Sequence, residues 1–162
     1  MYKITVIPGD GIGQEVMKPT IDILETLNTK FEFIEKEAGK ECYKKHGTNL
    51  PEDTIQQCKE SDSVLFGAVT SIPEQKSAIV TLRKKLDLYV NQRPIHSYTN
   101  QDINFTIIRE NSEGLYSHLE EQKGDEVIAL RKITNKGSER IIKYAFNYAQ
   151  KTGQKRVTAA HK

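Results

Sequence analysis

Residues 1–13 read MYKITVIPGDGIG, and they decide how the chain begins to fold. Ile4 and Val6 flank Thr5 in an apolar run that stops at Pro8-Gly9, a pattern that predicts a strand ended by a turn. From Val16 onward apolar residues recur at helical spacing up to Leu27, which predicts a helix that Pro19 bends or delays. The stretch is therefore expected to form a strand, a glycine-rich turn and a helix.

The next segments continue this alternation. Phe31 and Phe33 indicate a second strand, and the polar residues 37–53 indicate a short helix and a loop. A helix over Asp53–Glu60 and a buried strand over Ser63–Val69 follow. Strand, helix, strand, helix, strand in this order is typical of a layered α/β domain.

The second half of the chain alternates less regularly. Its patterns predict two helices and three strands: Ser77–Leu88, Lys136–Thr152, Phe105–Ile108, Val127–Ile133 and a strand beginning over Arg156–Ala160. Thr134 or Ser138 can cap the last helix, and Gly153 follows its end. The polar Ser97–Asn104 indicates a domain crossing, so we expect domains at 1–98 and 99–162.

The overall composition excludes several classes of protein. The 162 residues carry 24 basic and 22 acidic side chains, a balance that argues against nucleic acid or a membrane surface as partner. No apolar run is long enough to span a membrane, and the N-terminus does not resemble a signal peptide. Cys42 and Cys58 lack metal-site spacing, so we expect two reduced thiols in a cytoplasmic protein, with one disulfide as the alternative.

Gly9, Gly11 and Gly13 lie between the first strand and helix, where backbone amides could hold a phosphate. The spacing is not that of a Rossmann fingerprint, because Gln14 stands where the third glycine belongs. The three glycines are equally consistent with a purely structural turn.

Three arginines and one tyrosine stand out later in the chain. Arg83 and Arg93 lie in LRKKLDLYVNQRPI, and Arg109 opens RENSEGLY, which ends at Tyr116. Arginine holds carboxylates through a planar fork, so three converging arginines would suit a substrate with two or three carboxylates. The alternatives are surface ion pairs for the arginines and a buried structural role for the tyrosine.

These strings, together with PGDGIG and the closing RVTAAHK, resemble signatures of the isocitrate/3-isopropylmalate dehydrogenase family of decarboxylating β-hydroxyacid dehydrogenases. The resemblance covers the N-terminal half of the family's chains. It implies a layered α/β fold of the isopropylmalate dehydrogenase type, truncated here, and not a true Rossmann fold.

The resemblance also implies roles for particular residues. Arg83, Arg93 and Arg109 would bind the malate portion of the substrate, and Tyr116 and Lys162 would be the catalytic pair. Thr70 and Asn111 would contact the cofactor. Lysine would serve as the base on the substrate hydroxyl, and tyrosine would protonate carbon after decarboxylation.

The cofactors that the resemblance implies are NAD or NADP and Mg²⁺ or Mn²⁺. In the family, the metal ligands and the adenine pocket come from later parts of the chain, so no metal ligand is expected here. The family's lysine reaches the partner's active site, which implies a homodimer for the full-length form. We therefore expect that these 162 residues are a truncated form that shows no turnover alone.

Residues before Arg83 would select the substrate, and their signals conflict. Ser77 matches a serine that binds the distal carboxylate in isocitrate-type members, and Lys76 would suit homoisocitrate. Ile79 and Val80 are apolar and favour the isopropyl group, because burying a carboxylate without a partner in an apolar pocket costs free energy. We favour 3-isopropylmalate, as in leucine biosynthesis. A regulatory subunit of such an enzyme and an unrelated nucleotide-binding module are the alternatives.

Overall fold

The computed structural model describes residues 1–100 and 102–161, and all of their side chains except that of His118. The chain forms two compact units, Met1–Leu86 and Asp87–Lys162. The boundary between the two units follows Leu86. The sequence pattern predicted a domain boundary within Ser97–Asn104. Each unit has its own secondary structure and is described by itself.

The first unit is a three-stranded parallel sheet with helices. Its elements are β1 (Tyr2–Gly9), α1 (Ile12–Glu25), β2 (Phe31–Glu35), α2 (Lys40–His46), α3 (Glu52–Glu60), β3 (Ser63–Ala68) and α4 (Ala78–Lys85). The strand order is β2-β1-β3, with Val6 opposite both Glu35 and Leu65. Parallel strands joined through helices require this layered arrangement, so the predicted α/β class is confirmed.

The core of this unit lies between the sheet and the helices that cover it. Ile7, Ile55 and Leu82 are almost fully buried together, with Ala38, Leu50, Cys58 and Ala78 around them. Leu82 and Ala78 are four residues apart on α4, so one face of that helix is the core face.

Helix α1 exists as predicted, but its core face differs from the expected apolar stripe. Its buried residues are Gly13 and Met17, whereas Val16 and Ile23 remain 48% and 66% exposed. Gly13 lacks a Cβ, so the helix can approach the backbone of Pro8 and Ala68 closely, and this contact determines which side faces the sheet. The helix begins at Ile12 and continues through Pro19, so Pro19 does not delay its start.

The second unit contains two antiparallel ribbons and one long helix. Its elements are β4 (Val90–His96), β5 (Asn104–Glu110), β6 (Gly114–Lys123), β7 (Glu126–Lys132) and α5 (Asn135–Lys151). β4 pairs with β5, and β6 pairs with β7. The sequence patterns predicted β5, β7 and α5 but did not indicate β4 or β6.

The expected strand over Arg156–Ala160 was wrong, because these residues have no strand structure. A strand forms only where a neighbouring strand offers hydrogen-bonding groups, and residues 156–160 have no such neighbour within the described part of the chain.

Helix α5 begins as the sequence predicted. The Gly137 amide donates to the hydroxyl of Thr134 at 3.0 Å, so Thr134 is the N-cap. Only part of its apolar stripe is covered, because Ala149 is buried while Ile142 and Phe146 are more than half exposed.

Within residues 1–100 and 102–161 no helix combines the length and apolarity that a membrane crossing needs.

Candidate functional site

Two of the predicted arginines lie on the same face of the β4–β5 ribbon. The register sets Asn91 opposite Arg109, and Arg93 is two residues beyond Asn91 on the same strand. Residues two apart on a strand share a face, so the Arg93 and Arg109 side chains are diagonal neighbours. The Arg93 Nε donates to Asn91 Oδ1 at 2.9 Å. Both arginines are solvent-exposed, and each guanidinium group has further N–H donors that a ligand could use.

Tyr116 joins this pair through Arg109. The Arg109 Nη2 donates to the Tyr116 hydroxyl oxygen at 2.6 Å, and the guanidinium carbon lies 5.2 Å from the ring centroid. Because Arg109 occupies an acceptor position of the phenol, the phenolic hydrogen remains free to be donated elsewhere. Arg93, Arg109 and Tyr116 thus combine two carboxylate-binding groups with one proton donor.

The loop between β5 and β6 holds Tyr116 in place. The Glu110 carboxylate accepts from the Ser112 amide and hydroxyl and from the Glu113 amide, the last at 2.8 Å. The Asn111 amide donates to the Tyr89 carbonyl at 2.9 Å, and Asn111 is buried. The Tyr116 backbone amide also donates to the Glu113 carbonyl. These hydrogen bonds restrict the loop and hold Tyr116 in place.

Glu113 connects this loop to α5. Its two carboxylate oxygens accept from the Thr134 hydroxyl at 2.6 Å and from the Thr134 amide at 2.8 Å. The Thr134 hydroxyl is the main cause that lowers the pKa of Glu113 below its ordinary value. An ionised carboxylate at the start of α5 is also favoured by the helix dipole.

Arg140 of α5 also contacts the β5–β6 loop and the residues before β4. It donates to Asp87 at 2.9 Å and to the Ser112 hydroxyl at 2.6 Å, and it covers the Tyr89 ring at 4.2 Å. The sequence analysis missed Glu110, Glu113 and Arg140. The two glutamates, three positions apart within RENSEG, could have indicated carboxylates that order the loop. The contacts of Arg140 could not be found in this way, because they join residues far apart in the chain.

Ser77, Arg83 and Thr70 belong to the first unit. Ser77 is the N-cap residue of α4, although its hydroxyl does not cap the helix. Ile79 precedes Arg83 by four residues and Val80 precedes it by three, so both neighbour Arg83 on the surface of α4. Ile79, Val80 and Arg83 are partly buried, whereas Thr70 is exposed.

The glycine-rich turn is ordered by Asp10, which the sequence analysis did not single out. Its carboxylate accepts from the amides of Lys40, Glu41 and Thr70 at 2.8, 3.0 and 2.7 Å. Burial raises the pKa of Asp10, but the three amides together hold it below its ordinary value. In the turn itself, the amides of Asp10, Gly13 and Gln14 donate to the carbonyls of Ala68, Asp10 and Gly11. The geometry therefore supports a structural turn and not a phosphate cradle.

The residues present do not form a site for Mg²⁺ or Mn²⁺ beside the arginines. Within the described part of residues 87–162, no three potential ligands cluster. Glu110 and Glu113, the nearest carboxylates in sequence, are engaged by the loop and by α5. Lys162, the second predicted catalytic residue, lies outside the described residues.

The chain resembles known proteins over nearly its whole length. The sequence pattern of the isocitrate/isopropylmalate dehydrogenase family matches residues 3–162. A homoisocitrate dehydrogenase of Methanocaldococcus jannaschii is 47% identical over 100% of this chain and 52% of its own length. A 3-isopropylmalate dehydrogenase of Methanothermobacter thermautotrophicus is 46% identical over 99% of this chain and 50% of its own.

Among solved structures, the isocitrate dehydrogenase from Methylococcus capsulatus superposes with a TM-score of 0.88 at 36% identity, covering 96% of this chain and 49% of that one. The chain spans about half the length of the curated relatives that it matches. The match over nearly all of its residues shows that the chain belongs to the isocitrate/isopropylmalate dehydrogenase family.

Proposed function

We propose that this chain carries the substrate-binding and proton-transfer residues of an enzyme that oxidatively decarboxylates a 3-substituted malate with NAD or NADP and Mg²⁺ or Mn²⁺. The observation that carries the proposal is the cluster of Arg93, Arg109 and Tyr116. It combines two carboxylate-binding forks with a phenol whose hydrogen is free.

Each residue has a defined task in this proposal. Arg83, Arg93 and Arg109 bind and orient the substrate carboxylates. Tyr116 donates its phenolic proton to the carbon that has lost CO₂, and Lys162 takes the proton of the substrate hydroxyl. A bound nicotinamide would accept the hydride, with Thr70 and Asn111 as its proposed contacts. No step is assigned to a metal ion, since the described residues do not form its site.

The substrate that we favour is 3-isopropylmalate. Ile79 and Val80 adjoin Arg83 on α4, and an apolar surface there suits an isopropyl group better than a carboxylate. The names of the relatives include homoisocitrate, 3-isopropylmalate and isocitrate dehydrogenases, so they do not discriminate. Isocitrate, through Ser77, and homoisocitrate, through Lys76, are the alternatives.

The test is a turnover assay with the chain in its longest natural form. We expect formation of NADH or NADPH to be fastest with 3-isopropylmalate and to stop with a metal chelator. Ser77→Ala should then change kcat/KM little, whereas it should lower kcat/KM strongly in an isocitrate-type enzyme. A clear preference for isocitrate would contradict the choice of substrate, and no turnover with any of the three would favour a regulatory subunit.

The same assay applies to residues 1–162 alone. We expect no turnover from them, because the Arg93–Arg109–Tyr116 cluster has no metal-binding group beside it among the described residues. Metal-dependent formation of NADH by these residues would contradict that expectation.

We also propose a homodimer that acts in the cytoplasm. Leu119 and Leu130 face each other across β6 and β7 and are both exposed, as is Phe146 on α5. Such surfaces are covered in oligomers more often than they are left in water. Leu130→Lys should weaken self-association in sedimentation experiments, with Arg131→Lys as control.

The two free thiols suit a reducing compartment such as the proposed cytoplasm.

A further inference from the structure

Three side chains with different donor atoms meet at α2, in the first unit. Cys42 and His46 are four residues apart and therefore lie on one face of α2, and Glu37 precedes the helix. One donor atom from each, a sulfur, a nitrogen and an oxygen, lie within 4.8 Å of one another. The closest pair is His46 Nε2 and Glu37 Oε2, at 2.7 Å.

The neighbouring groups orient the Glu37 carboxylate toward His46. Lys45 binds Glu37 Oε1, which leaves Oε2 turned toward His46. Lys45 and His46 both donate to the Glu37 carboxylate, one to each oxygen. The last turn of α2, where His46 lies, is the negative end of the helix dipole.

Cys42 is buried but borders a cavity. Cys42, Glu37 and Lys45 line a cavity of about 520 Å³ that also borders α1 and β1. A small ion can therefore reach the Cys42 sulfur without unfolding α2.

We propose that Glu37, Cys42 and His46 bind one Zn²⁺ ion, with water from the cavity as the fourth ligand. Thiolate, imidazole and carboxylate are the donors that zinc uses, whereas Mg²⁺ and Mn²⁺ prefer oxygen ligands. Zinc ligands at about 2.0–2.3 Å from the ion are roughly 3.3–3.8 Å apart in a tetrahedron, so small side-chain rotations bring these three atoms into place. On binding, the Cys42 thiol releases its proton to solvent. The hydrogen that His46 Nε2 shares with Glu37 moves through solvent to Nδ1, so that Nε2 can bind Zn²⁺ as part of a neutral imidazole.

This site is independent of the proposed dehydrogenase chemistry. It uses none of the residues assigned to substrate, and it ties α2 to the segment that leaves β2. The cysteine spacing alone did not reveal it, because the second and third ligands are a histidine one turn later and a glutamate outside the helix.

The test uses Co²⁺ as a spectroscopic substitute for Zn²⁺ on the untagged chain. We expect one equivalent of Co²⁺ to produce a thiolate-to-cobalt charge-transfer band, which one equivalent of Zn²⁺ then removes. Cys42→Ser should abolish the band. Cys58→Ser, which changes the other buried thiol, should leave it unchanged.

A second variant keeps the test valid if Cys42→Ser does not fold. His46 is exposed, so His46→Gln should fold normally and weaken Zn²⁺ binding at least about 100-fold in competition with a chromophoric chelator. It should also remove the rise in Tm that Zn²⁺ gives the unchanged chain. The absence of a charge-transfer band in the unchanged chain, or unaltered affinity in His46→Gln, would overturn the proposal.

Discussion

Asp10 shows how one buried side chain can connect distant segments. Asp10 is only 6% exposed, and its carboxylate accepts from backbone amides at the start of α2 and after β3. Gly39 has φ +104°, and a Cβ there would lie 2.3 Å from Asp10 Oδ2. The aspartate of the PGDGIG string is therefore explained by structure, because it closes the turn from inside.

Asp10→Asn should lower the free energy of unfolding by about 2 kcal/mol at pH 7, because the neutral amide is a poorer acceptor for three amide donors. The folded-state pKa of Asp10 is lowered, so its stabilisation is complete above the unfolded-state pKa of about 3.9 and is lost as pH falls through the folded value. Urea unfolding at pH 7 and pH 3 should show the difference shrinking in acid.

The exposed Asp22 of α1 is the matched control for Asp10. Asp22→Asn should change the free energy of unfolding by less than about 0.5 kcal/mol at either pH. An Asp10→Asn chain as stable as Asp22→Asn would show that the three amide bonds contribute nothing.

Tyr116 carries the proton in the proposed chemistry, so removing its hydroxyl separates catalysis from binding. Tyr116→Phe should lower kcat by about 10²- to 10⁴-fold with little change in KM, since Arg93 and Arg109 still hold the substrate. The measurement is steady-state turnover of the longest natural form. Tyr98→Phe removes a hydroxyl from a tyrosine that is 98% exposed and should be neutral. Equal kcat in both variants would exclude Tyr116 as the proton donor.

At the level of elements, β1 and β3 approach each other closely at Gly9. Its φ is +78°, and a Cβ would lie 2.0 Å from the Ala68 carbonyl oxygen. Gly47, at the end of α2, has a similar φ of +71° but open space around it. Both glycines therefore have a left-handed backbone conformation that would strain an alanine. Only at Gly9 would the new methyl group also collide with a neighbouring strand.

Gly47→Ala should cost about 1–2 kcal/mol, the penalty for a left-handed alanine. Gly9→Ala should cost roughly 1–3 kcal/mol more, because the new methyl group forces β1 and β3 apart. Chemical denaturation of both variants measures the difference. Equal losses would mean that β1 and β3 are not so close in solution.

The start of α5 depends on a side-chain cap. Thr134→Ala should cost about 1 kcal/mol, because the Gly137 amide loses its acceptor and Glu113 loses one donor. Amide hydrogen exchange should become faster at the first turn of α5. Thr134→Ser keeps the hydroxyl and should keep the protection, so a serine variant as unstable as alanine would contradict capping.

Across the whole molecule, the sequence predicted the first unit better than the second. β1, β3 and α3 are apolar or amphipathic segments bounded by turn residues, so local patterns were sufficient. β4 contains Arg93 and Pro94, and β6 ends in the charged EEQK, so neither shows the alternation of a half-buried strand. Their pairing depends on neighbouring strands, which a local pattern does not contain.

The candidate site divides in the same way. Its arginines and Tyr116 were identified because their strings resemble family signatures. The neighbourhood of Arg93, Arg109 and Tyr116 follows from the β4–β5 register and the β5–β6 loop, which required the structure. Asp10, Glu113 and Arg140 act through contacts between segments far apart in the chain, and single positions in the sequence do not reveal such contacts.

The two units should also differ in local stability. Of the eleven buried apolar residues among those described, ten lie in Met1–Leu86 and only Ala149 lies in the second unit. Burial of apolar surface is the main source of stability, so the second unit has less to hold it closed.

Native-state hydrogen exchange should therefore protect the amides of β1 and β3 most strongly and those of β6 and β7 least. Leu82→Ala, which removes a core side chain of the first unit, should lower protection in β1 and β3 by roughly 2–5 kcal/mol. The exposed Leu88→Ala is the control and should leave β1 and β3 unchanged. The order applies to the monomer, because the proposed homodimer would cover β6 and β7. Stronger protection in β6 and β7 than in β1, at a protein concentration where the chain is monomeric, would contradict it.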